Sequence, residues 1–261
     1  MRTNPILLSI LLAAGLCACG EPEEAPRVEL PVFVDPSGTG AVTTDLGYTI
    51  ELTEARTVIE DLTFAIAGEA HEASLWRRLS RLVIPAAYAH PGHFQGGDVT
   101  GELRGRFVLS WLPGGEEVGR ATLLAGTYTS ANFTFGRGGA GDGAAALSGH
   151  TAVLGGSAKK GGGTVRFTAT LDAPEGRELI GAPFELQVRQ GSKERLGFRL
   201  VLKDPLEGDT LFDGLDFAAL DADGDGELAI EASSAAEAVV EAYNLLRRRF
   251  MTHDHFDVKP N

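Results

Sequence analysis

At 261 residues, with 43% of them hydrophobic and Lys+Arg 23 against Asp+Glu 36, the chain carries a formal net charge of -13. The apolar share excludes a disordered chain, and the acidic balance argues against nucleic acid, which needs a basic face for its phosphates. Two cysteines are too few for a disulfide-dense scaffold or a four-cysteine zinc site.

The first element is a leader. Arg2 precedes an apolar run over residues 5–16, too short to cross ~30 Å of hydrocarbon as a permanent helix but suited to a signal peptide. The run ends in Leu16-Cys17-Ala18-Cys19-Gly20. This resembles the lipobox of bacterial lipoproteins, with Cys19 in the cysteine position, Ala18 as the small residue before it and Leu16 as the aliphatic one. Cys17 fits poorly, because Leu16 would then fill the small-residue position. The resemblance implies that Cys19 is lipidated and becomes the mature N-terminus, so that acyl chains hold the protein to a membrane. Gly20, rather than Asp, after the cysteine resembles sorting to the outer membrane, on its periplasmic face or at the cell surface. Glu21-Pro-Glu-Glu-Ala-Pro26 reads as a short acidic tether.

Beyond the tether, alternation with a period of two dominates the chain, as in half-buried strands. Tyr48, Ile50 and Leu52 alternate with polar neighbours, as do Leu62, Phe64 and Ile66. Further strands are predicted over 107–112, 121–128, 132–135, 151–154, 164–171, 184–188 and 196–202. The separators are Pro113-Gly-Gly, the glycine-rich stretch 155–163, and Pro174-Glu-Gly. Many short strands at regular spacing predict an antiparallel β-sandwich or barrel-like domain. A short inserted helix is predicted over 72–83, with Leu75, Leu79, Leu82 and Val83 on one face and Pro85 ending it. A last helix is predicted after Ser234-Ala-Ala-Glu237, which matches a capping box. Its stripe is Val239, Ala242, Tyr243, Leu246 and Phe250, with Arg247–Arg249 at the negative end of the helix dipole. The predicted organisation is a signal peptide over 1–18, a lipidated N-terminus and tether over 19–27, the β-domain over 28–206, and an aspartate loop with a helix packed on the sheet over 207–261.

Asp221-Ala-Asp223-Gly-Asp225-Gly226-Glu227 matches D-x-D-x-D-G and resembles the first half of an EF-hand calcium loop. Alternate carboxylates on a tight loop converge on one hard cation, and the glycine permits the turn that brings the next carbonyl inward. The resemblance implies calcium ligands at Asp221, Asp223, Asp225 and the Glu227 carbonyl. The second half departs from the pattern, because Ala232 stands where a bidentate Glu is expected and Glu231 comes one residue early. A short helix over 214–220 is predicted to lead into the loop.

Two histidine pairs, His90-Pro-Gly-His93 and His253-Asp-His255, offer nitrogen ligands suited to Zn or Cu. Asp98, Asp254 or Asp257 can add an oxygen or orient an imidazole. Gly136-Arg-Gly138-Gly-Ala-Gly141 satisfies G-x-G-x-x-G without a βαβ context, and no G-x-S-x-G, H-E-x-x-H or C-x-x-C is present. These residues predict a non-enzymatic envelope lipoprotein that binds Zn or Cu through His90, His93, His253 and His255, beside a structural calcium loop, and engages an envelope transporter or receptor. The alternative is a structural or interaction lipoprotein with only a stabilising calcium site. A metal-dependent hydrolase, using a metal-bound water, is the third reading.

Overall fold

The computed structural model describes residues 26–66, 99–139 and 147–261. Cys19, His90, His93, Asp98 and the helix expected over 72–83 lie outside them. The alternating segments become β1 (Arg27–Val34), β2 (Val42–Thr43), β3 (Thr49–Ile66), β4 (Val99–Ser110), β5 (Glu117–Leu124), β6 (Gly126–Phe135), β7 (Ala152–Lys160), β8 (Gly163–Leu171), β9 (Glu178–Val188) and β10 (Leu196–Leu200). The C-terminal part adds α1 (Phe217–Leu220), β11 (Glu227–Ile230), α2 (Glu237–Phe250) and β12 (Phe256–Pro260). Among the described residues these 12 strands join in one sheet.

β3 decides the architecture, because it is long enough to serve two neighbours on the same side. Its first half, Thr49 to Thr57, pairs with β7, and its second half, Ile59 to Ile66, pairs with β6. Just after the change of partner the strand has a register shift between Glu60 and Leu62 and a positive φ of 50° at Asp61. An extra residue there bends the strand away from its first partner. The pairings β3–β4–β5–β1–β10–β12–β9–β6 then return to β3 and close a ring, while β7, β8 and β11 extend from β3 as an arm. A ring of this size has an interior that side chains just fill. Here the filling is aromatic: Phe133 lies 5.3 Å from Phe198 and 5.2 Å from Phe256, and Phe250 of α2 lies 5.4 Å from Phe256. Trp111, fully buried, donates its indole N–H to the Phe198 carbonyl at 3.4 Å.

The chain is mainly β, as the alternation predicts, yet the sheet is mixed. β1–β10, β8–β11 and β9–β12 run parallel. Parallel neighbours need long connections rather than hairpins, and alternation along one strand is the same whichever way its partner runs. Two predicted boundaries also move. The strand expected over 121–128 breaks at Ala125 into β5 and β6, and the glycine-rich stretch 155–163 is mostly strand, turning only at Gly161 and Gly162 (φ 57° and 87°). Gly156 belongs to β7 because β3 passes so close that a Cβ would sit 2.2 Å from the Glu51 carbonyl oxygen.

All five residues of the predicted helical stripe are buried in α2. The predicted capping box does not form. Glu237 is the first helical residue, Ala236 occupies the cap without a side-chain hydrogen bond, and Ser234 Oγ accepts only from the Ala236 N–H at 3.2 Å. The serine lies too early in the chain to cap the helix, and burial of Val239 and Ala242 sets the start instead. The segment 207–261 does more than pack on the sheet, since β11 extends the arm and β12 completes the ring. No helix among the described residues is long and apolar enough to cross a membrane.

Candidate metal centre

The aspartate loop is held at both ends by the arm. On its entry side, the carboxylate of Asp216 caps α1, accepting from Ala219 N–H at 3.3 Å. The Tyr48 hydroxyl donates to the same oxygen at 2.6 Å and accepts from Ala218 N–H at 3.1 Å. That hydroxyl, foremost, holds the Asp216 carboxyl below the usual aspartate range, while burial, foremost, pushes the Tyr48 phenol up. Phe217 packs 5.1 Å from Phe167 of β8 and 5.4 Å from Tyr48. On the exit side, β11 pairs with β8, and the Gly226 carbonyl accepts from Arg166 N–H at 2.8 Å. The predicted helix over 214–220 is therefore the single turn 217–220, pinned between Tyr48, just before β3, and Phe167 of β8.

Between these anchors the chain turns through Gly224 and Gly226 at φ of 70° and 79°, a backbone that side chains with a Cβ rarely adopt. The turn gathers Asp221, Asp223 and Asp225, with one oxygen from each within 4.8 Å of the others. Asp225 Oδ1 accepts from Glu227 N–H at 2.8 Å, and Asp221 Oδ2 accepts from Gly226 N–H at 3.0 Å. The other oxygen of Asp221, Oδ1, is buried and has no hydrogen-bond partner. A buried carboxylate oxygen without a partner is costly, and a cation held by that oxygen would remove the cost.

Glu227 and Glu231 stand outside this carboxylate group. The Glu227 side chain turns to the neighbouring strand, where Arg166 Nε donates to its Oε1 at 2.6 Å and Arg166 Nη2 contacts the same oxygen. Glu231 follows β11, and its carbonyl accepts from Ser234 N–H at 3.3 Å.

The C-terminal histidines occupy a short 3-10 turn, His253–His255. His255 is only 2% exposed, and its Nδ1 donates to the Val201 carbonyl at 2.9 Å. Burial, foremost, lowers its pKa, against the Val201 carbonyl and the charges of Asp209, Asp254 and Asp204. It is thus a neutral imidazole offering Nε2 alone as a ligand atom. His253 Nε2 lies 3.3 Å from Asp254 Oδ1. Asp257 accepts from Arg199 Nε at 2.6 Å within a largely buried ion pair. Neither histidine joins a group of three or more donors among the described residues.

No family model, curated protein or solved structure matches this chain. Its chemistry has to be read from its own side chains.

The fold also gathers a second carboxylate group, Asp204, Glu207 and Asp209, which no motif in the sequence singles out. It occupies a hairpin closed by the Lys203–Thr210 bridge and by Asp204 N–H donating to the Asp209 carbonyl at 2.9 Å. The signal was present as Asp204-Pro-Leu-Glu207-Gly-Asp209, carboxylates separated by turn residues. Asp204 Oδ1 is already satisfied by Leu206 N–H at 2.8 Å, so the buried oxygen that distinguishes Asp221 has no counterpart there. Either group can hold a metal ion. Of the two, only the loop of Asp221 leaves a buried oxygen unsatisfied without one.

Proposed function

We propose that this protein is an exported, lipid-anchored interaction lipoprotein whose arm is made rigid by calcium in the loop of Asp221, Asp223 and Asp225. The unpartnered, buried Oδ1 of Asp221 carries the cation part of this reading. Three carboxylates offering hard oxygen ligands suit calcium rather than Zn or Cu. The export and anchoring part rests on the lipobox around Cys19, which places the attachment before a short tether and leaves the barrel and arm free to meet an envelope partner.

The test is a thermal melt of the full-length chain in mild detergent, with calcium and with EDTA, beside elemental analysis of the purified protein. Calcium at about 100 times its dissociation constant stabilises the native state by about 2.7 kcal/mol, and Asp221→Ala abolishes that increment. Identical melting with calcium and EDTA would overturn the reading. Radiolabelled fatty acid should enter the wild type and not Cys19→Ala. The Zn or Cu reading has one supporting observation, the neutral imidazole of His255 fixed through Nδ1, an arrangement common in metal-binding histidines. Stoichiometric Zn or Cu in the elemental analysis, lost in His253→Ala/His255→Ala, would favour it.

A further inference from the structure

The strand directions give the two ends of the ring different characters. β1 runs parallel to β10, β10 antiparallel to β12, and β12 parallel to β9. The starts of β1 and β10 and the ends of β12 and β9 therefore share one rim. β5 ends on it too, where Ala125 N–H donates to the Pro26 carbonyl at 2.9 Å. The turn over 189–195 joins β9 to β10 there, and Arg195 and Asn261 exchange backbone hydrogen bonds at 3.1 and 2.8 Å. Among the described residues of these segments, Arg27, Arg189, Lys193, Arg195 and Lys259 are exposed and basic, against one half-buried acid, Glu194. The Arg195 guanidinium is held on the outer wall, 4.4 Å from the centre of the Phe33 ring. This basic rim belongs to a chain whose net charge is -13. At the other end of β10 follows the acidic hairpin of Asp204, Glu207 and Asp209.

We propose that the rim of Arg27, Arg189, Lys193, Arg195 and Lys259 docks on the anionic headgroups of the membrane that holds the lipid anchor, turning the hairpin of Asp204 away from the bilayer. The proposal rests on the anchoring reading above. Cys19 stands seven residues before Pro26, a reach of at most about 25 Å. The chain enters the ring at this rim, so the anchor keeps this end near the headgroups. Anionic headgroups attract basic side chains close to the surface, over a Debye length of about 10 Å at 0.1 M salt. Acyl chains and a basic patch together make a two-signal attachment. The competing anion is the tether, with Glu21, Glu23 and Glu24. Three glutamates on one short segment cannot meet basic residues spread over β1, β12 and the turn from β9 to β10, whereas a layer of headgroups can.

The experiment places the lipidated protein on vesicles of phosphatidylcholine alone, and of equal parts phosphatidylcholine and phosphatidylglycerol. In the lipidated protein Cys19 is acylated and Cys17 has left with the leader. Gln190→Cys on the rim, or Leu206→Cys on the far hairpin, then supplies one reactive thiol. The thiol at position 190 should react with a bulky, uncharged maleimide about three- to tenfold more slowly on the anionic vesicles than on the neutral ones. High salt should remove the difference, and position 206 should show none. Arg189→Gln/Lys193→Gln/Lys259→Gln should abolish the slowing at 190. Equal rates at 190 on both kinds of vesicle overturn the proposal. So does equal slowing at 206, or slowing at 190 that survives the triple variant. Slowing that appears only with Glu21→Gln/Glu23→Gln/Glu24→Gln means that the tether covers the rim, and overturns it as well. Protein retained on neither kind of vesicle overturns the anchoring reading, and this proposal with it.

Discussion

The ring and the arm are built from one continuous sheet, yet they are stabilised by different means. In the ring, strands distant in sequence meet around the packed aromatic rings of Trp111, Phe133, Phe198 and Phe256. At the end of the arm, the packing of Phe217 on Phe167 is joined by polar groups that fix the chain: the Tyr48 hydroxyl on Asp216, the aspartate side chains on loop amides, and Arg166 on Glu227. A ring filled with apolar side chains is held by packing, whereas gathered carboxylates repel one another, a repulsion that a bound cation would relieve. The contrast teaches that exposed carboxylates gather at the end of the arm, while the ring is filled with aromatic side chains.

The comparison can be broken most forcefully inside the ring. Phe256→Ala removes a fully buried ring that touches Phe133, Phe198 and Phe250 and should cost about 3–5 kcal/mol. Chemical denaturation should show this loss undiminished by calcium. Full rescue by calcium would mean that ring and arm are not separable in this way. At the junction of the two regions, Gly156→Ala places a Cβ against the Glu51 carbonyl and should destabilise by roughly 1–3 kcal/mol through forced displacement. Because β3 and β7 would move apart, this variant should also weaken calcium binding, which Phe256→Ala should not.

The smallest effect sharpens the comparison through pH. His255 has its pKa lowered in the folded chain, so the unfolded state binds more protons once pH falls below the ordinary imidazole value of 6.5. Its contribution to stability is complete above that pH and declines as pH drops towards the lowered folded pKa. Asp213 behaves in the same sense at more acid pH: burial alone would raise its pKa, but hydrogen bonds from Thr210 and Asp45, with the charge of Arg249, outweigh burial and lower it. In a series of denaturant melts, His255→Asn should flatten the slope just below the imidazole range and leave the acid limb intact. An unchanged slope in that variant would place the titration elsewhere.

Much of this was legible along the chain. β8 and the five buried positions of α2 follow directly from periods of two and of 3.6 residues. The aspartate loop was legible because its carboxylates lie within a few residues and its glycines mark the required positive φ values. Three other features were hidden for physical reasons. The capping box of Ser234 matched in spacing but lay outside the helix, whose start is set by what α2 buries. His253 and His255 looked like a pair of equals, but His255 is committed through Nδ1 to Val201, a residue brought close only by the β10–β12 pairing. The partner of Glu227 lies 61 residues away, on a strand whose parallel direction leaves no trace in either segment.

The sequence alone determined the mainly β class, the identity of the apolar faces and the local chemistry of the aspartate loop, because each depends on residues near one another in the chain. Tertiary structure alone decided that β3 changes partners between Thr57 and Ile59, that the ring closes through β12, that three pairs run parallel, and that Arg166 stands beside the loop. Closure and pairing direction depend on which distant strands meet, and a strand's pattern records its own two faces rather than its neighbours.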